Sequence, residues 1–445
     1  MSIDDRLKNM LKLPLFDKLR EEQCSIFSKL IPISGDSKEK RLGLSNADVQ
    51  MLIDRVTIII HGAASVKFND SLKSAIFTNT RATRDICILA QSMKKLKTLL
   101  YVSTAFTSPH RPVLGDKVYP LIADWQKMID VAESLDEHTL NIFTAKCLEC
   151  IPNTYVFSKN LSEHVIETYS SSLPCAIVRP SMVFSSIEEP LPGWVDNIYG
   201  PIGFYVAVAK GVLRVAFTTS SANVDIVPVD IVIKTILVTC WKVGSTTHTP
   251  NSNFVVNSTC QKHLTCKCVR TMFAIEFREV PFKNSIFPLR FVETNNWILC
   301  YTLMMLLHML PALIVDTILK RFGRQPFLVR LQRNVFVATQ AVGWFGCNEW
   351  EFSDTNHLAL LSSIPPNDRE NFSFNYVDYD FKKYCRNCII GGKKFLLNED
   401  MNKIDELKVN VKRMDFIFDV MKHIVAVSVL WMTFNWFKWF IYHML

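Results

Sequence analysis

Along the first half of the chain, continuous apolar runs alternate with stretches whose apolar positions recur at helical spacing. The runs are Val56-Thr-Ile-Ile-Ile-His61, Thr98-Leu-Leu-Tyr-Val-Ser103 and Cys175-Ala-Ile-Val-Arg-Pro180, with Ile31–Ile33 as a shorter strand candidate before Ser34-Gly35-Asp36. The helical stretches are Leu72 to Lys95 and Asn153 to Ser170, and Met1 to Glu22 reads as a preceding helix with a Leu/Phe face. A strand that is apolar at every position has both faces covered, as strands of a parallel sheet do. The alternation therefore predicts a doubly wound α/β domain over residues 1–265. Asp225-Ile-Val-Pro-Val-Asp230 and Phe254-Val-Val-Asn257 read as its last pieces.

Beyond that point the pattern changes. Residues 266–350 form a hydrophobic connecting region, in which Trp297 to Leu319 is apolar but broken by His308, Pro311 and Asp316. Those breaks predict a buried helix pair, or a segment dipping into a membrane interface, rather than a clean span. Residues 351–415 read as a small helical unit and 416–445 as a membrane-associated helix. Ile424 to Leu445 holds 22 residues, with Lys438 and His443 as its only ionisable side chains. At 1.5 Å per residue such a helix reaches about 33 Å, enough to cross a bilayer core. Trp431, Trp436, Trp439 and Tyr442 suit an interface, and Lys408, Lys412, Arg413 and Lys422 precede the apolar stretch. Positive-inside logic then keeps the rest of the chain on the cytosolic side. The competing reading is a packing helix that ends a soluble fold.

Composition narrows the class. Hydrophobic residues make up 49% and charged residues 21%, so a large core is available and disorder does not dominate. The net charge of +8 is scattered along the chain without a nucleic-acid motif. It fits acidic small molecules, an anionic membrane surface or ordinary solubility, and no nucleic-acid partner is expected. Met1 to Arg20 lacks the long apolar run of a secretory signal. Thirteen cysteines without framework spacing read as reduced thiols. Cys147/Cys150 and Cys385/Cys388 could in principle supply four zinc ligands. Their separation and the missing His spacing argue against it, and no metal site is expected.

The residues suited to chemistry gather at the ends of the predicted strands. Tyr155 and Lys159 stand four apart on a predicted helix and so share a face. A neighbouring ammonium favours phenolate and lowers a phenol's pKa, which suits a proton donor to a carbonyl oxygen receiving hydride. Lys159 could also hold the ribose of a nicotinamide cofactor. Ser103 and Thr104 close one buried strand, where a hydroxyl could hydrogen-bond the substrate oxygen. His61, Gly62, Ala63 and Ala64 close another, and small residues there admit a cofactor close to the backbone. Loop and core packing would explain each piece alone. The ordered set points to a nicotinamide-dependent reductase.

The set His61-Gly-Ala-Ala-Ser-Val-Lys-Phe68, Asn79, Val102-Ser-Thr-Ala-Phe106, Pro152-Asn-Thr-Tyr155 to Lys159 and Ile177-Val-Arg-Pro-Ser-Met-Val183 resembles the alcohol-forming fatty acyl-CoA reductases. So do Glu189-Pro-Leu-Pro-Gly-Trp-Val-Asp196 to Gly211, Asp225 to Asp230, Tyr379-Asp380-Phe381 with Tyr384, and Gly391 to Glu399. The resemblance covers nearly the whole chain and implies a Rossmann-like fold. It also implies reduction of long-chain fatty acyl-CoA to fatty alcohol at the expense of NADPH, used twice. On it, Tyr155 is the proton donor, Lys159 its partner and ribose ligand, and Ser103 or Thr104 the hydroxyl on the oxyanion side. Asn79 matches the structural Asn that supports the proton relay, and Asp36 the adenine-side Asp. An apolar C-terminal region would help deliver a membrane-dissolved acyl chain.

Members of that family begin with a strand, a Gly-rich turn opening a helix, and a second strand, and the turn holds the pyrophosphate. Here no Gly precedes Gly35, and Met1 to Glu22 resembles the family's segment just downstream of that unit. The sheet is therefore expected to be N-terminally incomplete, with an exposed edge. Two readings of function remain: a reductase, and a catalytically impaired, membrane-tethered relative that binds acyl-CoA or a protein partner. A nucleotide-sugar epimerase is a third, disfavoured by Pro190 to Gly211 and by the hydrophobic C-terminus. Endoplasmic reticulum, peroxisome and lipid-droplet surfaces all suit the chain, with the catalytic domain facing the cytosol. Acyl chain length and oligomeric state are left open by the sequence.

Overall fold

The computed structural model describes residues 2–120, 122–247, 254–260, 262–285 and 289–444; Met1 and Leu445, the outer limits of the two terminal helices expected from sequence, lie outside them. Four strands form the central sheet: β1 (Ile58–His61), β2 (Thr98–Val102), β3 (Cys175–Pro180) and β4 (Phe254–Ser258). They lie in that order and all run parallel, with His61 beside Tyr101 and Val102 beside Val178. Successive side chains alternate between the faces. Leu99, Tyr101, Cys175, Ile177 and Val255 enter one core, while Leu100, Ala176, Val178 and Val256 enter the other. That two-sided burial is why residues 99–101, 175–178 and 254–256 are apolar without a break.

Three long helices cover the sheet. The first, α1, spans 72–91 and comprises Leu72–Ala75, a π-helical turn Ile76–Arg81 and Ala82–Gln91. The second, α2 (Thr154–Tyr169), starts at Asn153, whose side chain accepts the Val156 N–H and satisfies one of the free donors of the first turn. Both helices pack into the core of Leu99 and Ile177. The third, α3 (Val229–Ser245), packs on the opposite face through Ile231, Val232 and Ile236. It begins directly after Pro228, within the Asp225–Asp230 stretch, and the short strand Ile226–Pro228 pairs with Met182–Phe184 outside the main sheet.

Two expectations at the N-terminus are corrected. Ile31–Ile33 is not a strand: the chain there has no regular structure and no strand beside it among the described residues. Met1 to Glu22 is not one helix but two, Ile3–Leu11 and Asp17–Glu22, because Pro14 lacks an N–H and opens a separate turn, Pro14–Phe16. β1 pairs on one side only among the described residues, and its Ile58 and Ile60 remain 46% and 47% exposed.

The chain forms two compact units, each discontinuous in sequence. The first gathers residues 1–194, 218–266 and 337–379, and the second 195–217, 267–336 and 380–445. This division cuts across the contiguous blocks 1–265, 266–350, 351–415 and 416–445. In the first unit the return is made by Glu351–Phe352, which pairs in parallel with Val113–Leu114. Asp116 fastens it, accepting from Asn257 Nδ2 at 2.8 Å and from the Asn356 N–H at 2.9 Å.

In the second unit Val215–Phe217 pairs with Val292–Thr294. Residues 297–321 then form one continuous helical run, so His308, Pro311 and Asp316 do not break it. Pro311 falls just after a π-helical turn, Met305–Met309, where the regular hydrogen-bond ladder is already altered. His308 and Asp316 are buried against their own unit. Trp297–Arg321 and Met401–His443 are both long and apolar enough to cross a membrane, with mean hydropathies of 2.2 and 1.5 in their most apolar stretches. The C-terminal helix, Ile404–Met444, starts well before the apolar tail itself.

One buried ion pair ties α2 to the sheet. Arg179 of β3 donates from Nε and Nη2 to both carboxylate oxygens of Glu163, at 2.8 and 2.7 Å, and both side chains are almost fully inaccessible. Arg179 also donates to the carbonyls of Gly115 and Lys117. Removing one partner of such a pair leaves the other charged and desolvated. Glu163→Gln is expected to destabilise the protein by about 3–5 kcal/mol, read as a lowered urea midpoint against wild type. An unchanged midpoint would show that the pair does not hold the helix.

Candidate active site

The carboxyl end of a parallel strand is where the chain leaves the sheet and free backbone groups meet solvent, so ligands collect there. β2 delivers Ser103 and Thr104 to that end, and both are buried. Their strand-like pairing continues past the sheet, with the Ser103 N–H donating to the Val178 carbonyl at 2.8 Å. α2 presents Tyr155, Lys159 and Glu163 at four-residue steps on one face. Lys159 Nζ donates to the Val102 carbonyl at 2.6 Å and lies 4.6 Å from the centre of the Tyr101 ring. Tyr155 is half-buried, with the Thr104 hydroxyl close enough to oppose the rise in its pKa. Ser103 Oγ is buried without a hydrogen-bond partner among the described residues. An orphan hydroxyl costs free energy unless something later pairs with it.

The electrostatics differ from the sequence expectation. Burial raises the Tyr155 phenol to about 12, and the Thr104 hydroxyl opposes the rise. Lys159 does not lower it, because with its own value near 7 it is a neutral amine at any pH where the phenol ionises. Burial lowers Lys159 to about 7, opposed by the Glu163 carboxylate. The phenol is therefore protonated at neutral pH and can donate, while the amine titrates near neutrality.

His61 ends β1 in a buried position. The Thr83 hydroxyl donates to the Asn79 carbonyl at 2.6 Å, so its oxygen accepts from His61 Nε2 at 3.0 Å. Burial, and then the Lys159 charge, lower the imidazole to about 3, so it stays neutral. Asn79 sits in the π-helical turn of α1. Its Oδ1 accepts the Ser65 N–H at 2.8 Å, and its Nδ2 donates to the Ser65 carbonyl at 3.2 Å and to Ser158 Oγ at 2.8 Å. The side chain thus clamps the loop after β1 to the residue before Lys159. Gly62 and Ala63 in that loop are exposed and Ala64 is partly so. A Cβ on Gly62 would meet only Val102, at 3.9 Å, which is ordinary contact.

The structure thus brings His61, Asn79, Ser103, Thr104, Tyr155 and Lys159 together, with the 62–64 loop tied to them through Ser65. Asp36 stands apart from this group. It is exposed and accepts the Lys38 N–H at 2.8 Å, capping its own loop. Its loop is joined to α1 by the Arg41 N–H, which donates to Asp85 at 3.0 Å. Among the described residues, no group of three or more His, Cys, Asp or Glu is placed to hold a metal ion.

Sequence reasoning missed an aromatic set beside Tyr155. The Tyr155 ring lies 5.7 Å from Phe68, Phe68 lies 5.6 Å from Phe345, and Phe345 lies 5.3 Å from Phe106. Trp350 and Phe352 extend it, at 5.2 and 5.5 Å from Phe106. All five added rings are half-buried. Phe345, Trp350 and Phe352 lie far downstream and arrive through the 351–352 strand pairing. The nearest sequence signal is the density of aromatic residues at 344–352.

Residues present fit the nicotinamide–ribose end of a dinucleotide. Lys159 supplies donors, Ser103 an orphan hydroxyl, and the 62–64 loop an exposed backbone shelf. Comparison with known proteins points the same way. Residues 1–236 match an NAD-binding family described as "Male sterility protein", and residues 307–399 match a second family of the same description. "Fatty acyl-CoA reductase 1" of Xenopus laevis is 34% identical over 92% of this chain and 80% of its own length. The protein of that name from Homo sapiens is 32% identical over the same shares. Among solved structures, the terminal R domain from the myxalamid PKS-NRPS biosynthetic pathway shares the fold, with a TM-score of 0.54 at 16% identity. That likeness covers 85% of this chain and 79% of the other.

The lowered Lys159 pKa makes a stability prediction. Its ordinary value is 10.5 and its folded value about 7, so between these the unfolded chain binds a proton that the folded chain lacks. Stability contributed by this group therefore rises with pH across that window and is lowest below it. Lys159→Met is expected to abolish that rise, read from urea midpoints at neutral and alkaline pH. Identical pH slopes in the two proteins would show that Lys159 is not desolvated.

Proposed function

The chain belongs to the male sterility protein family, two of whose relatives in frog and human are named fatty acyl-CoA reductase, and from that premise we propose that it reduces a fatty acyl-CoA to a fatty alcohol. The observation that carries the assignment is the convergence of Ser103, Thr104, Tyr155 and Lys159 at the carboxyl end of β2. NADPH is the donor implied by the family resemblance, and a bound nicotinamide supplies hydride to the acyl carbon. The residues of this chain do the rest. The Ser103 and Thr104 hydroxyls hydrogen-bond the thioester oxygen, which carries negative charge once hydride has added. Collapse of that adduct expels the CoA thiolate and leaves an aldehyde. After a second hydride, Tyr155 donates its phenolic proton to the alkoxide, and a phenol that is protonated at neutral pH is ready to do so. Each reduction consumes one hydride and one proton, so the alcohol forms at the cost of two of each. Lys159 holds the ribose hydroxyls, and Asn79 holds the 62–65 loop against α2.

The aromatic set of Phe68, Phe106, Phe345 and Trp350 gives the acyl chain an apolar wall beside the proton donor. Long chains suit such a wall, because each methylene removed from water contributes roughly 0.8 kcal/mol. We place the chain on a membrane through Ile404–Met444, with the α/β unit on the cytosolic side. Lys408, Lys412, Arg413 and Lys422 in the first half of that helix support this orientation.

Tyr155→Phe is expected to lower NADPH-dependent alcohol formation by roughly 10²- to 10⁴-fold, while acyl-CoA binding is kept. Phe345→Ala is expected to raise KM for long-chain acyl-CoA about tenfold and to leave short-chain substrates unaffected. Full activity of Tyr155→Phe would refute the assignment.

A further inference from the structure

Helix 297–321 is inside out. Its buried residues, Cys300, Met304, His308, Ala312 and Asp316, recur every four positions and form one inward row along its whole length. The inward row holds His308 and Asp316, while the exposed polar side chains between 298 and 318 are Tyr301, Thr302 and Thr317. His308 Nε2 accepts the Arg214 N–H at 3.1 Å, which leaves Nδ1 as the donor to Gln332 Oε1 at 3.1 Å. Asp316 accepts three backbone N–H groups, from Phe327, Leu328 and Val329, at 3.0, 3.0 and 2.8 Å. It thereby caps the next helix, Leu328–Cys347, and closes a helical hairpin. The outward side carries Ile298, Leu306, Leu310, Leu313, Ile314 and Ile318, which are 49–75% exposed. A surface helix in water has the opposite arrangement. At the hairpin's tip Phe322 and Phe327 are 79% and 57% exposed.

Charge identifies what covers this side. Lys320, Arg321, Arg324, Arg330 and Arg333 surround the tip, and no Asp or Glu occurs from residue 317 to 348. All five cations are exposed, and none is in an ion pair among the described residues. An apolar flank next to unopposed basic residues matches the acyl and headgroup layers of an anionic leaflet.

We infer that the hairpin 297–336 docks on an anionic phospholipid leaflet, with helix 297–321 lying in the plane of the membrane and its outward side in the upper acyl region. The inward row packs along the full helix, so one long flank, and not a circumference, faces lipid. This contact is distinct from the C-terminal helix and independent of the reductase reading.

The test uses the full chain in phosphatidylcholine vesicles, with and without phosphatidylserine. Phospholipids carrying a diazirine near the headgroup or at the end of the acyl chain are photolysed, and the adducts are mapped by mass spectrometry. The headgroup-proximal probe is expected to label the outward residues from Ile298 to Ile318 along the helix, and to leave Cys300, Met304 and Ala312 unlabelled. Phosphatidylserine is expected to raise that labelling several-fold, since each basic residue near such a surface contributes roughly a five-fold gain. Arg321→Glu combined with Arg324→Glu should remove the phosphatidylserine-dependent part. Three results overturn the inference. One is labelling confined to Ile404–Met444. Another is deep-probe labelling at the middle of 297–321 with shallow labelling only at its ends, which means a crossing helix. The third is protection that rises with protein density, which means a second copy covers the flank. No arm measures activity, so none of these outcomes bears on the reductase assignment.

Discussion

The site depends on how α2 is fixed against the sheet. Tyr155, Lys159 and Glu163 occupy one face, and two of the three are tied to strands. Lys159 reaches the carbonyl that ends β2, and Glu163 takes both forks of Arg179 on β3. A helix held at two points one turn apart can neither slide nor rotate, so the third residue, Tyr155, is delivered beside Thr104. The same Arg179 holds the Gly115–Lys117 loop, and Asp116 in that loop fastens residues 353–356. One buried guanidinium thus connects the helix that carries Tyr155 to the segment that brings Phe345, Trp350 and Phe352. Buried pairs contribute little net stability, and fixing geometry is the use that fits this one.

Much of the first unit is legible in the sequence because its physics is local or periodic. Strands with both faces covered must be apolar throughout, and three of the main-sheet strands stand out as continuous apolar runs. Helical spacing finds Tyr155 and Lys159, and their place at a strand end finds Ser103 and Thr104. The features that escape are non-local. Glu163 looks like an ordinary helix surface charge until its partner on β3 is known. Asn79 matches a structural Asn by resemblance, and its three hydrogen bonds, to Ser65 and Ser158, become visible only once α1, α2 and the loop after β1 are packed together. Phe345, Trp350 and Phe352 reach Tyr155 only because a two-residue strand pairs across more than two hundred positions of sequence.

The region around 297–321 misleads for a definite reason. His308, Pro311 and Asp316 look like interruptions because hydropathy averages around a helix. In the structure the two ionisable groups fall on the inward row, where their hydrogen bonds are satisfied, and the proline comes after a π-helical turn. The separation of the polar positions, eight residues from 308 to 316, already matches a single face of a helix. Ile31–Ile33 misleads for the opposite reason: apolar content alone does not make a strand without a neighbour to pair with.

The central claim is that hydride reaches the acyl carbon beside Tyr155 and that the same site does so twice. The isotopic content of the alcohol formed from a long-chain acyl-CoA with NADPH deuterated at the transferable position tests it most directly. The account requires deuterium at both carbinol hydrogens. Alcohol with no deuterium, or a product that stops as singly labelled aldehyde, would contradict it.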